Sequence, residues 1–272
     1  MAALEFGPQD RPIDVVFSHA NSFNALTYRT ILAPAAQTLR ILAYDLRGHG
    51  ATELPTAIEG RHDWSDFAQD LVALLDALDL RGVVLAGHSM GATATLMAAA
   101  EAADRVRAVA LFEPVIMPPE IAGLPETGEP GISRVTEAAL RRRRSFASVE
   151  AALETFVGRG VFETWPREMV ADYVEGGLRR LPDGTYELAC TPEWEASNYR
   201  TQTHDMWDAL ERAPRPIRIL RGSTWSSAQL GSGEERLTAD GSVQIETIAG
   251  TGHFIPMDRP DVVTATLLAL RP

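Results

Sequence analysis

No lysine occurs anywhere in the 272 residues; all 25 basic side chains apart from histidine are arginine. That excludes a lysine Schiff base, and with it pyridoxal-phosphate and amine-type aldolase chemistry. It also excludes a phosphate-loop lysine on a nucleotide. The single cysteine, Cys190, rules out an internal disulfide and a four-cysteine zinc site. No apolar run approaches the roughly 18 residues of a membrane span. The opening stretch MAALEFGPQDRPID has no basic segment leading into an apolar one, so no secretory signal is expected. Positive charge is scarce: 25 basic against 37 acidic residues leave a net charge of −12. Phosphate backbones and anionic lipid need clustered positive charge, so neither nucleic acid nor a membrane is expected as partner. The expectation is a cytoplasmic protein that handles small molecules.

What is present is globular: 45% of residues are hydrophobic and 23% charged, enough to bury a large core. Short β-rich runs alternate with helical patterns over the first half. Ile13–Ser18, Arg40–Asp45, Val83–Ala86 and Val106–Phe112 read as strands. Ala25–Leu39, interrupted by Pro34, Asp63–Leu80 and Met90–Ala103 read as helices. In the second of these, Trp64, Phe67, Leu71, Leu74, Leu75 and Leu78 recur at steps of three and four. This rhythm predicts an α/β fold with a mostly parallel, doubly wound sheet. It breaks over residues 117–214, which are rich in Arg, Glu and Ala and helical in pattern. The strands resume at Ile217–Leu220 and Ser242–Ile248, before a closing helix over Asp261–Leu270. The predicted organisation is a core of residues 1–116 and 215–272 carrying a helical cap of residues 117–214. The four arginines Arg141–Arg144 are read as a solvated helix face.

The chemistry is carried first by Gly87-His88-Ser89-Met90-Gly91. This G-x-S-x-G sequence follows a predicted strand and opens a predicted helix, the setting of a nucleophile elbow. There Ser89 projects its hydroxyl into a cleft, and the Met90 backbone N–H points to where an oxyanion forms. Serine is a weak nucleophile without a base. Of six histidines, His253 lies between glycines and the last helix, just past the last predicted strand, where a parallel sheet places its site. His88 is expected to point away from the cleft.

Taken in order, Ser18-His19-Ala20-Asn21, Asp45-Leu46-Arg47-Gly48-His49-Gly50, the GHSMG elbow and the late Gly252-His253-Phe254 make the whole chain similar to the α/β-hydrolase fold family. The resemblance implies that the Asn21 backbone N–H is the second oxyanion donor, with His19 holding that loop. One departure concerns the acid of the triad. The family usually carries it shortly after a glycine that ends the strand following the cap, and here Gly222-Ser223-Thr224-Trp225-Ser226 holds no carboxylate. Glu113, at the end of the predicted strand after the elbow helix, is assigned instead. Some haloalkane dehalogenases place their acid similarly. The alternative is that Glu113 only supports the junction, while a water or a serine near Ser226 orients His253. His19-Ala20-Asn21 also resembles the His-Gly-Asn of dehalogenases, but those enzymes and epoxide hydrolases use an aspartate nucleophile.

The expectation is therefore a serine hydrolase acting on a small apolar carboxylic ester through Ser89, His253 and Glu113. C–C bonds, lactones or thioesters are alternatives for the same triad, and a small-molecule receptor with a vestigial triad is the alternative from another class. Trp207, Trp225 and His204 are candidates for the pocket. No metal-ligand spacing and no dinucleotide glycine motif is found, so no metal or cofactor is expected.

Overall fold

The computed structural model describes residues 1–122, 130–202 and 204–271; residues 123–129 of the expected cap lie outside them. Seven strands form the main sheet. They are β1 (Ala3–Phe6), β2 (Val15–Ser18), β3 (Ile41–Tyr44), β4 (Val83–His88) and β5 (Val106–Phe112), with two more after residue 216. Helices α1 (Arg29–Ala36), α2 (Ser65–Ala77) and α3 (Met90–Glu101) connect them. Every residue of β2, β3 and β4 is buried, because helices cover both faces of a parallel sheet and a continuous apolar run results. Alternate side chains of β4 divide between two cores: Val83 and Leu85 pack with α2 and α3, while Val84 and Ala86 face α1 and the closing helix.

Between β5 and the next core strand come α4 (Pro130–Leu140), β6 (Ser145–Phe146), α5 (Val149–Phe156), α6 (Arg167–Gly177), β7 (Leu178–Arg180), β8 (Tyr186–Leu188), α7 (Pro192–Arg200) and α8 (Trp207–Arg212). The core resumes with β9 (Ile217–Gly222), α9 (Glu234–Thr238), β10 (Val243–Ile248), α10 (Ile255–Asp258) and α11 (Pro260–Ala269). The strand order is β1-β3-β2-β4-β5-β9-β10, all parallel except β1, which runs antiparallel to β3. The chain winds outward from β2 to β3 and then returns to place β4 on the other side of β2. The loops leaving β2 and β4 therefore meet at the switch point of the sheet, where ligands of open α/β folds bind.

The inserted segment, expected to be helical from its composition, is only partly so. β6, β8 and β7 form a small antiparallel sheet in that order, with strands too short to show a two-residue period. β1 is also absent from the sequence reading, since its residues are mostly exposed and carry no core pattern. The helix expected over Ala25–Leu39 begins as a 3-10 turn, Ala25–Tyr28, capped by the Asn24 side chain. It then continues through Pro34 as α1.

Candidate active site

Ser89 stands between β4 and α3 with φ 54° and ψ −125°, a left-handed backbone that costs a non-glycine residue about 1–3 kcal/mol. The tight packing of this turn explains its glycines. A Cβ on Gly91 would lie 2.2 Å from the His19 carbonyl oxygen, and one on Gly87 would lie 2.7 Å from the Gly91 backbone. The Ser89 N–H donates to the Phe112 carbonyl at 3.0 Å, tying the elbow to the end of β5.

His253 follows β10, and its Nε2 lies 2.8 Å from Ser89 Oγ. Its Nδ1 lies 3.3 Å from Glu113 Oε2. Glu113 is fully buried and has φ 51°. Its N–H pairs with the Leu220 carbonyl of β9, and its carboxylate accepts from the Gly222 N–H and, at 2.9 Å, from the Ser227 N–H. Burial alone would raise this carboxyl. Hydrogen bonds from His253, Gly222 and Ser227 outweigh burial and hold it below the usual carboxylate range. The carboxylate at the end of β5 thus reaches the loop after β9 and is received by its backbone.

Ser227 is the serine near Ser226 that the sequence offers as an alternative partner of His253, and it stands beside Glu113 as well as His253. Its Oγ lies 3.1 Å from Glu113 Oε2 and 3.3 Å from His253 Nδ1. The Ser226-Ser227 pair in the loop was its only sequence signal.

The loop after β2 is held by two neutral histidines. His19 Nδ1–H donates to the Ala20 carbonyl, and its Nε2 accepts from the Leu46 N–H. His49 accepts from the Ser22 N–H at 3.1 Å. Burial pushes His19 down to about 4 and His49 well below its usual value. The Asn21 side chain is fixed by α7: its amide donates to the Glu195 carbonyl at 3.2 Å, and its Oδ1 accepts from the Asn198 amide at 2.8 Å. The backbone N–H groups of Asn21 and Met90 donate to no other described residue. His88 points into the core. Its Nε2–H donates to the His253 carbonyl and its Nδ1 accepts from the Tyr28 hydroxyl at 2.7 Å. Burial, followed by the nearness of His253, lowers it to about 3.

Ser89, His253 and Asn21 line one cavity of about 590 Å³. Phe23, Phe162, Tyr173 and Phe254 make much of its wall, and Trp225 lies at its edge with its ring centre 5.3 Å from that of His253. Trp225 is 59% exposed. Trp207 and His204, expected at the pocket, do not line it. Trp207, the first residue of α8, is buried; its indole N–H donates to the Met117 carbonyl and its ring packs on Gly233. His204 lies against Trp64, with ring centres 4.5 Å apart, and burial lowers it to about 4. The aromatic and imidazole side chains there satisfy packing, not the cavity.

Arg142 corrects the reading of Arg141–Arg144 as a solvated face. Arg141 is exposed, but Arg142 turns into the cavity and pairs with the buried Glu195 and the Tyr173 hydroxyl. Among the described residues no three His, Cys, Asp or Glu side chains group to hold a metal ion, and no helix is long and apolar enough to cross a membrane.

Comparison with known proteins agrees with this architecture. The chain is 25% identical over 252 residues to 2-(acetamidomethylene)succinate hydrolase of Mesorhizobium japonicum, covering 91% of this chain and 84% of that protein. It is 27% identical over 280 residues to a non-heme chloroperoxidase of Streptomyces lividans, covering 97% and 93%. A haloalkane dehalogenase of Sphingobium indicum is 27% identical over 278 residues, covering 99% and 90%. The crystal structure of E-2-(acetamidomethylene)succinate hydrolase superposes with a TM-score of 0.78 at 19% identity, over 98% of this chain and 93% of that one. An esterase structure from M. tuberculosis does so at 0.73 and 21%, over 98% and 87%. The model of the alpha/beta hydrolase family matches residues 15–266. The chain therefore belongs to the alpha/beta hydrolase family, as an enzyme and a hydrolase.

Proposed function

We propose that this enzyme cleaves carboxylic esters through an acyl-enzyme, with Ser89 as nucleophile, His253 as base and Glu113 as the triad acid. The observation that carries the reading is the continuous chain from Ser89 Oγ through His253 to the buried Glu113 carboxylate, with separations of 2.8 and 3.3 Å.

Ser89 Oγ attacks the ester carbonyl carbon as its proton passes to His253 Nε2. The carbonyl oxygen becomes an oxyanion held by the N–H groups of Asn21 and Met90, each contributing about 3 kcal/mol to the transition state. The C–O bond then breaks, and His253 returns its proton to the departing alkoxide. Water adds to the acyl-serine carbonyl as it gives a proton to the same nitrogen; the acyl C–Oγ bond then breaks, His253 returns that proton to Ser89 Oγ, and the acid leaves. Throughout, Glu113 accepts the Nδ1 proton bond and stabilises the imidazolium. The inserted segment from α4 to α8 acts as a cap that limits which molecules reach the cavity.

Lactones and thioesters share the acyl step and are accessible to the same residues, as is a C–C bond beside a carbonyl. Dehalogenation and epoxide opening are not proposed, although relatives carry those names. A serine displacing halide forms an alkyl ether, which has no carboxylate carbon for water to attack.

A fluorophosphonate probe tests the nucleophile. Wild type should take up one equivalent, mapped to the Ser89 peptide, and Ser89→Ala should take up none. Labelling at another residue by a folded, active protein would overturn the assignment.

A further inference from the structure

The cavity wall opposite the core loops is apolar except at one corner. There the Arg142 guanidinium, just past the end of α4, meets Glu195 of α7 and Tyr173 of α6. A charged side chain inside an apolar cavity carries a desolvation cost, which its pairing with Glu195 offsets in part. The arrangement does not exhaust the donors. Of the five N–H groups of a guanidinium, one goes to Glu195 and one to the Tyr173 hydroxyl, and no further acceptor for Arg142 occurs among the described residues. The Tyr173 oxygen receives that bond as acceptor, so its own proton is available for a second acceptor.

We propose that this corner is an anion subsite, in which Arg142 and the Tyr173 hydroxyl bind a carboxylate carried by the substrate at the end away from its reacting carbonyl. The substrate class is then the monoester, or an equivalent acyl compound, of a dicarboxylic acid, and the apolar wall between holds the methylene chain. This rests on the reading of the cavity as the substrate site.

The ionisable groups facing the cavity are Arg142, Glu195, His253 and the phenols of Tyr173 and Tyr199. Only Arg142 supplies a permanent positive charge, on a protein that is otherwise strongly acidic. Arginine suits the role because its planar fork matches a carboxylate and keeps its charge when buried. Glu195 stays engaged on one nitrogen and orients the fork. An incoming carboxylate meets the remaining N–H groups together with the phenol. Charge-assisted hydrogen bonds of this kind discriminate by about 10- to 100-fold against a neutral partner.

The test needs no turnover, so it stands or falls apart from the ester reading. Levulinate and its longer methyl-ketone homologues place an unreactive carbonyl at one end and a carboxylate at the other. Each is titrated calorimetrically against wild type beside its primary amide. The expected result is that at least one acid of the series binds about 10-fold or more tightly than its amide. In Arg142→Gln, and in the double variant with Glu195→Gln that removes both charges together, the acid-to-amide ratio should fall to near unity. In Arg142→Lys it should be intermediate, since the charge remains without the fork. If no acid of the series binds better than its amide, the subsite does not exist. If the variants weaken acid and amide equally, Arg142 is a strut joining α4, α6 and α7, and the proposal fails.

Discussion

The Asn198 side-chain amide donates to Asn21 Oδ1 at 2.8 Å, joining helix α7 of the inserted segment to the loop that presents the Asn21 N–H to the cavity. The orientation of both amides is determined by their other partners. Asn198 Oδ1 accepts from the Arg61 guanidinium at 2.7 Å, and Asn21 Nδ2 donates to a backbone carbonyl. An N–H donor and a carbonyl can each play only one part. Arg61 is in turn paired with Asp66, so a chain of bonds runs from the start of α2 through α7 to the loop.

Replacing Asn198 by aspartate keeps the acceptor for Arg61 and removes the donor to Asn21. The expected effect is a fall in kcat of about 10-fold with KM little changed, because the loss falls on oxyanion stabilisation. Affinity for a boronic acid transition-state analogue should fall in parallel. A change confined to KM would mean that α7 acts on ground-state binding only.

Ser227 lies between Glu113 and His253, and alanine there removes the hydroxyl but keeps the N–H that Glu113 accepts. Ser227→Ala should retain the fold, lower kcat by about 10-fold and move the acid limb of the pH–rate profile. An unchanged profile with an unchanged rate would assign the hydroxyl to loop packing alone.

Two glycines separate steric from conformational demand. A Cβ on Gly91 meets the His19 carbonyl at 2.2 Å, whereas one on Gly158 (φ 69°) meets nothing within 4 Å. Gly158→Ala should cost about 1 kcal/mol for its left-handed backbone. Gly91→Ala should cost several times more, because backbone must move. Urea unfolding of the two variants distinguishes them, and equal losses would contradict the packing of the elbow.

Acid stability follows from the buried histidines. His19 and His204 are lowered to about 4 and His88 to about 3 in the folded protein, chiefly by burial. Unfolded histidine takes up its proton near 6.5, so between that pH and the folded values the unfolded state binds more protons. Stability therefore decreases as pH falls through this window, by about 1.4 kcal/mol per unit for each such histidine. Glu113, lowered when folded, adds its own loss below the usual carboxylate value. Urea midpoints at pH 7.5, 6.0 and 5.0 should drop steadily; a flat response would show these rings to be protonated or exposed.

Much of this architecture is visible in the linear chain. Buried parallel strands such as β4 read as unbroken apolar runs, and the elbow requires glycines where backbones nearly touch. Glu113 ends a predicted strand after the elbow helix, where the resemblance to the α/β-hydrolase fold allows an acid; that this strand pairs with β9 is seen only in the fold. The remainder depends on contacts that composition does not record. The sequence points to a serine near Ser226 without choosing one; Ser227 matters because the Glu113 carboxylate reaches its N–H. An arginine run looks the same whether one member turns inward, as Arg142 does, or all face water. Trp207 and Trp225 carry the same side chain, yet Trp207 is buried as the first residue of α8 and Trp225 edges the cavity. β1 escapes notice because an exposed edge strand needs no apolar period.

The account turns on Ser89, His253 and Glu113 acting as one unit. Its most direct test is the hydrolysis of p-nitrophenyl butyrate by wild type, Ser89→Ala and Glu113→Gln, with circular dichroism confirming the fold of each. The account predicts multiple turnover by wild type, none by Ser89→Ala, and a loss in kcat of about 10²- to 10⁴-fold in Glu113→Gln. Near-full activity in Glu113→Gln would contradict the acid assignment, and multiple turnover by Ser89→Ala would contradict the serine mechanism itself.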